Sequence, residues 1–176
     1  KAQGEPGKKV TLKVAETLYD NGRVNQDSLR YAKEEDSYTP AGNGIETWEP
    51  KFTYHGFRYI QIEGLPKRPA AGDIQVKVVR SAVAQSGSFK CSNQLLNDIH
   101  RMVVNTEAAN LHSVPTDCPQ RDERMGWLND LTVRIEQAIY NFNLSRFYPK
   151  YMIDITDTQD KAGTITCVAP YRFGMR

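Results

Sequence analysis

Val114-Pro-Thr-Asp-Cys-Pro-Gln-Arg-Asp-Glu-Arg-Met-Gly-Trp-Leu-Asn-Asp130 separates two runs of helical period. Pro115, Pro119 and Gly126 interrupt any continuous element, so the stretch reads as a shaped loop leading into a helix. It gathers the carboxylates Asp117, Asp122, Glu123 and Asp130, the guanidinium groups of Arg121 and Arg124, and Trp127. On its N-terminal side, Leu95, Leu96, Ile99, Met102, Val103 and Thr106 form one helical stripe, with Ser92 as the expected N-cap. On its C-terminal side, Leu128, Leu131, Ile135, Ala138, Ile139 and Phe142 repeat at steps of three and four. Ser145 is the expected cap of a third helix with Tyr148, Tyr151, Met152 and Ile155 inside, and the tail from Lys161 to Arg176 reads as loop. Helices joined by short connections point to hairpins of an α-helical assembly.

Further out, the period changes. Val10, Leu12 and Val14 alternate with polar residues, as do Ile74, Val76 and Val78, which predicts strands. Trp48 to Phe52 and Phe57 to Ile62 are aromatic and β-branched stretches, and Asp20-Asn-Gly22 is a turn signal. The fold class is therefore α+β, with part of a β-sandwich or jelly roll over residues 1–86 and the helical part over 87–176. Neither half looks complete, and the chain reads as an internal piece of a larger protein.

The 176 residues are 39% hydrophobic and 25% charged, with a net charge of +2. Lysine and arginine are dispersed, which gives nucleic-acid binding no support, and no apolar run approaches a membrane span. Cys91, Cys118 and Cys167 are odd in number and widely spaced, against a disulfide framework. The absence of a Cys-x-x-Cys or Cys/His cluster predicts no metal, and no cofactor is implied. Cys118 reads as a packed thiol rather than a nucleophile.

Cleaving a glycoside requires a protonated carboxylic acid beside the leaving oxygen and a second carboxylate as base or nucleophile. Hydrogen-bonding groups must hold the sugar hydroxyls, and an aromatic face suits the ring. Glu123 has the longest carboxyl reach and is the natural acid; Asp117, Arg121, Asp122 and Asp130 suit hydroxyl pairs, and Trp127 suits stacking. An arginine paired with Asp117, Asp122 or Asp130 is expected, because an arginine aimed at the acid would keep it ionised. The competing reading is a surface salt-bridge loop whose acids complement a helix dipole.

Pro115-Thr-Asp-Cys-Pro-Gln-Arg-Asp-Glu-Arg-Met-Gly-Trp127, closing with Asp130, resembles the signature of the α-L-rhamnosidases of glycoside hydrolase family 78. Trp48-Glu-Pro-Lys-Phe-Thr-Tyr-His-Gly-Phe-Arg-Tyr59 and Gly87-Ser-Phe-Lys-Cys-Ser-Asn93 are also similar to that family. The resemblance implies β-sandwich domains followed by an (α/α)6 barrel, and an inverting hydrolase that releases terminal L-rhamnose from glycosides or polysaccharides. It puts the general acid on Glu123, sugar-binding acids on Asp117 and Asp130, and Arg121, Asp122 and Trp127 in the same pocket. It puts the general base on a glutamate far downstream, outside this chain, so the 176-residue chain alone is expected to be inactive. One departure is Asn129, where the family carries glycine; it costs backbone freedom and adds an amide at the pocket edge.

The remaining candidates read blandly. His100 is packed or superficial on its helix, His112 stands five positions ahead of Asp117 with a place at the pocket rim as its lesser reading, and His55 lies in the sandwich part. Trp48, Tyr54, Phe57 and Tyr59 read as sandwich core before carbohydrate face. Asn143-Leu-Ser145 fits a glycosylation sequon, though use of Ser145 as a cap is the simpler reading. Glu136, Asp154 and Asp157 are expected to be solvated. The alternative function is a rhamnose-binding module or a catalytically inactive relative. A periplasmic or secreted setting is favoured over the cytoplasm.

Overall fold

The structure is a computed structural model that describes residues 1–171. Residues 172–176, part of the expected loop tail, lie outside the described residues. The chain divides into two compact units, residues 1–79 with 120–122, and residues 80–119 with 123–176.

The first unit carries seven strands: β1 (Ala2–Gln3), β2 (Val10–Ala15), β3 (Thr17–Leu18), β4 (Val24–Asn25), β5 (Glu35–Tyr38), β6 (Ile45–Glu46) and β7 (Tyr59–Glu63). The alternation at Val10, Leu12 and Val14 becomes β2, the middle of an antiparallel sheet of order β5-β2-β7. Val10, Val14 and Ala15 are buried with Val24 and Leu29. Lys13 stands on β2 between Glu35 and Glu63, 4.0 and 3.3 Å away. Asp20-Asn-Gly22 is the turn of the β3–β4 hairpin, with Gly22 at φ 79°, a conformation that favours glycine.

Two expected strands are corrected. Ile74, Val76 and Val78 form no strand; all three are exposed, Val78 at 84%. Alternation specifies a face but not a partner strand, and no strand pairs with them among the described residues. Trp48 to Phe52 is also irregular; Pro50 cannot donate to a ladder, and Phe52 is fully exposed. The aromatic cluster is not a buried core either. Trp48 is half-buried and stacks on Tyr38 with centroids 5.4 Å apart, while Tyr54 and Phe57 are half-buried and Tyr59 is exposed.

The second unit holds α1 (Gln94–Ala109), β8 (Leu111–His112), β9 (Val114–Pro115), α2 (Leu128–Asn141) and α3 (Phe147–Asp157). Asn93 caps α1 through its side chain, accepting from Leu95 N–H at 3.0 Å, one residue beyond the expected Ser92. The stripe on α1 is exposed, with Leu95 at 66% and Met102 at 59%; the buried residue of this helix is Glu107. Glu107 accepts from Gln137 at 2.8 Å and faces Arg134 at 3.6 Å on α2. Burial raises the Glu107 pKa against the pull of Arg134 and Gln137.

The core of this unit forms as two clusters. One joins Leu111, Ala138, Phe142, Leu144 and Phe147; the other joins Leu131, Tyr151, Ile155 and Ala169. The α2 stripe is thus buried at Leu131 and Ala138, whereas Ile139 and, on α3, Met152 are exposed. Ser145 does not cap α3: Arg146 holds that position, and the Ser145 hydroxyl donates to Asn143 Oδ1 at 2.7 Å. Glu136 is exposed, as is Asp157, and Asp154 pairs with Lys150 at 2.6 Å. His100 lies against the Phe89 ring, centroids 5.4 Å apart.

His55 of the first unit stands between two carboxylates. Nδ1 lies 2.9 Å from buried Glu34 and Nε2 lies 2.8 Å from Asp36. Contact with Glu34, foremost, raises the His55 pKa, with Asp36 adding to it and burial opposing. A histidine that binds its proton more tightly when folded adds stability below its unfolded pKa of about 6.5, and that gain disappears as pH rises through the folded pKa. In the full-length protein, His55→Gln should therefore lower the Tm at pH 6 more than at pH 9, with the Tm difference from wild type read by calorimetry. An equal difference at both pH values would refute a charged His55.

Candidate active site

The charged loop is anchored before it begins. Asn110 ends α1, and buried Thr116 returns to it, with N–H to the Asn110 carbonyl at 2.8 Å and hydroxyl 3.1 Å from Asn110 Oδ1. The short β8–β9 pair turns at Ser113, φ 64°.

Asp117 then closes the loop on itself. Its N–H donates to the Met125 carbonyl at 3.0 Å, and its Oδ1 accepts from Met125 N–H at 2.7 Å. Oδ2 is buried and makes no hydrogen bond among the described residues. Inside this ring, Arg124 has φ 46°, an uncommon conformation for a bulky side chain that the Asp117–Met125 closure sustains. The closure brings Asp117, Cys118 and Glu123 together, with one donor atom of each within 4.8 Å of the others. The expected packed thiol is buried, and its place beside two carboxylates is the one grouping among the described residues whose atoms would also suit a cation.

The far side of the loop is held by the chain beyond α3. The Gly126 carbonyl accepts from Ala169 N–H at 2.9 Å and from the Tyr151 hydroxyl at 2.7 Å. Trp127 bridges to Val168, and Leu128 N–H donates to the Cys167 carbonyl at 3.0 Å. Trp127 occupies the N-cap position of α2 without a side-chain cap; its indole N–H is buried and has no hydrogen-bond partner among the described residues. Asp130 is exposed in the first turn of α2, where its charge complements the helix dipole.

Of the candidates, Asp117 and Glu123 are therefore brought together in the second unit, with Trp127 on the same loop. Residues 120–122, which include Arg121 and Asp122, belong to the first unit, where Arg30 Nε lies 3.0 Å from Asp122 Oδ1. Arg30, a lone residue some ninety positions upstream that carries no signal in the sequence, pairs with one of the aspartates. Tyr151 was visible only as an apolar stripe position, and its hydroxyl is what binds the loop. His112 is half-buried, with Nε2 3.1 Å from the Ala109 carbonyl oxygen; burial, first, and the charge of Arg124 lower its pKa.

Models of two families match the chain end to end. The bacterial alpha-L-rhamnosidase concanavalin-like domain covers residues 1–80, and the bacterial alpha-L-rhamnosidase 6 hairpin glycosidase domain covers residues 84–175. The chain belongs to the bacterial α-L-rhamnosidase family. An alpha-L-rhamnosidase of Streptomyces avermitilis is 37% identical over 170 residues, 97% of this chain and 16% of the relative. One from Formosa agariphila is 45% identical over 118 residues, 67% of this chain and 12% of the relative. The solved alpha-L-rhamnosidase structure from Dictyoglumus thermophilum aligns with TM-score 0.96 at 44% identity, covering 99% of this chain and 20% of that one. The Streptomyces avermitilis alpha-L-rhamnosidase complexed with L-rhamnose aligns with TM-score 0.93 at 37% identity, covering 97% and 17%. The chain thus spans at most about a fifth of these relatives. The family resemblance read from the sequence holds, and with it a sandwich domain followed by the first helices of a helical barrel.

Gly126 has no room for a side chain, because a Cβ there would overlap the Ala169 carbonyl oxygen and the Tyr151 hydroxyl. Gly126→Ala should destabilise the full-length protein by about 1–3 kcal/mol, as overpacking does, measured by denaturant unfolding.

Proposed function

We propose that the protein carrying this chain is an inverting glycoside hydrolase that releases terminal α-L-rhamnose from glycosides or polysaccharides, with Glu123 as its general acid. The observation that carries the reading is the loop closure that gathers Glu123 with Asp117, within a chain whose relatives are named alpha-L-rhamnosidase. One of those relatives was solved in complex with L-rhamnose. Glu123 gives its proton to the glycosidic oxygen as the C1–oxygen bond breaks. A water attacks C1 from the opposite face and surrenders its proton to a carboxylate that lies outside this chain. Asp117, Arg121, Asp122 and Asp130 hold the sugar hydroxyls, and Trp127 supplies the wall for the ring.

Asp117 is not that base. An inverting pair stands roughly 6.5–9.5 Å apart to admit water, and Asp117 has an oxygen within 4.8 Å of Glu123. Its Oδ1 is also committed to Met125 N–H. The closeness is nearer to the spacing of a retaining pair, so the product anomer is decisive: inversion gives β-L-rhamnose first, retention gives α-L-rhamnose.

Proton NMR of early turnover by the full-length protein should show the β anomer, and α first would overturn inversion. Glu123→Gln should lower turnover of an unactivated rhamnoside by about 10²–10⁴-fold with the fold intact, the usual worth of a general acid. Full-length protein that binds L-rhamnose in calorimetry without any turnover would instead establish the binding-module alternative.

A further inference from the structure

We propose that Tyr151 is a positioning residue for the acid-bearing loop, acting through the Gly126 carbonyl to set where Glu123 meets the glycosidic oxygen. This rests on the reading of Glu123 as general acid.

The loop from Asp117 to Met125 is a ring joined at its neck by hydrogen bonds of 3.0 and 2.7 Å. A ring closed only on itself can tilt as a body. Two of the points that hold it are the Thr116–Asn110 bonds before the neck and the Gly126 carbonyl after it. Trp127 N–H donates back to the Met125 carbonyl at 3.0 Å, so the orientation of the Gly126 peptide passes directly to Met125 and from there to Asp117. Both lone-pair directions of the Gly126 oxygen are used, one by the Ala169 amide and one by Tyr151. The Ala169 bond runs from backbone to backbone in a loop segment. The Tyr151 bond comes from the middle of α3, from a ring at 0% exposure among Leu131, Ile155 and Ala169. It is the one that ties the loop to a rigid element. Burial, foremost, pushes the Tyr151 pKa up to about 12, so the hydroxyl remains a donor throughout any working range.

A phenylalanine would fill the same space and omit only the donor. The loop would keep its ring closure and its thiol–carboxylate grouping, but lose the rigid stop on one side. General-acid catalysis is the step most sensitive to such a shift, because proton transfer needs hydrogen-bond distance to the leaving oxygen. Sugar binding draws on several side chains and is less sensitive.

The test compares leaving groups in the full-length protein. A 2,4-dinitrophenyl rhamnoside departs without a proton, whereas a methyl rhamnoside needs one. Tyr151→Phe should lower kcat on the methyl rhamnoside about tenfold, within the range that small misplacements cost, while KM and turnover of the dinitrophenyl rhamnoside stay within about twofold of wild type. Thr158→Val is the matched control: it removes a buried hydroxyl at the C-cap of α3, bonded at 2.7 Å to the Ile155 carbonyl rather than to the loop. It should lower the Tm without separating the two substrates. Equal losses on both substrates, no loss on either, or failure of Tyr151→Phe to fold would each overturn the positioning role. Glu123→Gln, assayed alongside, must show the same separation more strongly. If it does not, the acid assignment fails and the positioning role falls with it. If it does and Tyr151→Phe does not, the positioning role alone is wrong.

Discussion

The carbonyl oxygen of Gly126 accepts two hydrogen bonds, from the Ala169 amide and the Tyr151 hydroxyl, in a space that excludes even a methyl group. Much of the second unit is arranged around that point. Tyr151 reaches it because Leu131, Ile155 and Ala169 enclose its ring, which aligns α2, α3 and the segment after α3. The bridge between Trp127 and Val168 and the bond from Leu128 to Cys167 continue the same seam into the first turn of α2. A loop as rich in charge as 117–130 would otherwise have many conformations of similar energy. Here it is closed by Asp117 at one end and pinned by an uncharged carbonyl at the other.

Much of this was legible in the sequence, and the parts that were not share a cause. The apolar period placed all three helices, and prolines and glycine marked the loop between them. Family resemblance gave the charged stretch an expected role. The strand expected at Ile74, Val76 and Val78 failed because alternation states which side is greasy but names no neighbour to pair with. The cap of α1 moved from Ser92 to Asn93 because a cap depends on where the backbone leaves extended geometry, and two candidates for it sat side by side. The pairing of Arg30 with Asp122 and the bond from Tyr151 to Gly126 bring together residues distant along the chain, which no local pattern encodes.

The helical unit also contains a polar interior that apolar periodicity conceals. Glu107 is 2% exposed and faces Arg134, while Gln137 donates to it from one turn further along α2. Tyr148 lies near enough for the Glu107 charge to contribute, after burial, to a pKa raised to about 12. Buried ion pairs are a poor source of net stability, but removing one partner leaves an uncompensated charge. Such a pair selects one rotation of α1 against α2 more sharply than interchangeable aliphatic contacts would, and α1 leads directly to Asn110, where the loop's anchor begins.

The stripe on α1 has a practical side. Leu95, Leu96, Ile99, Met102 and Val103 line one flank of that helix and face water. Contiguous apolar surface of this kind drives promiscuous adhesion. A solution of the 176-residue polypeptide by itself would be prone to clumping, column retention and dye binding through that flank. Polydispersity seen in such a sample would report a greasy helix rather than a functional assembly.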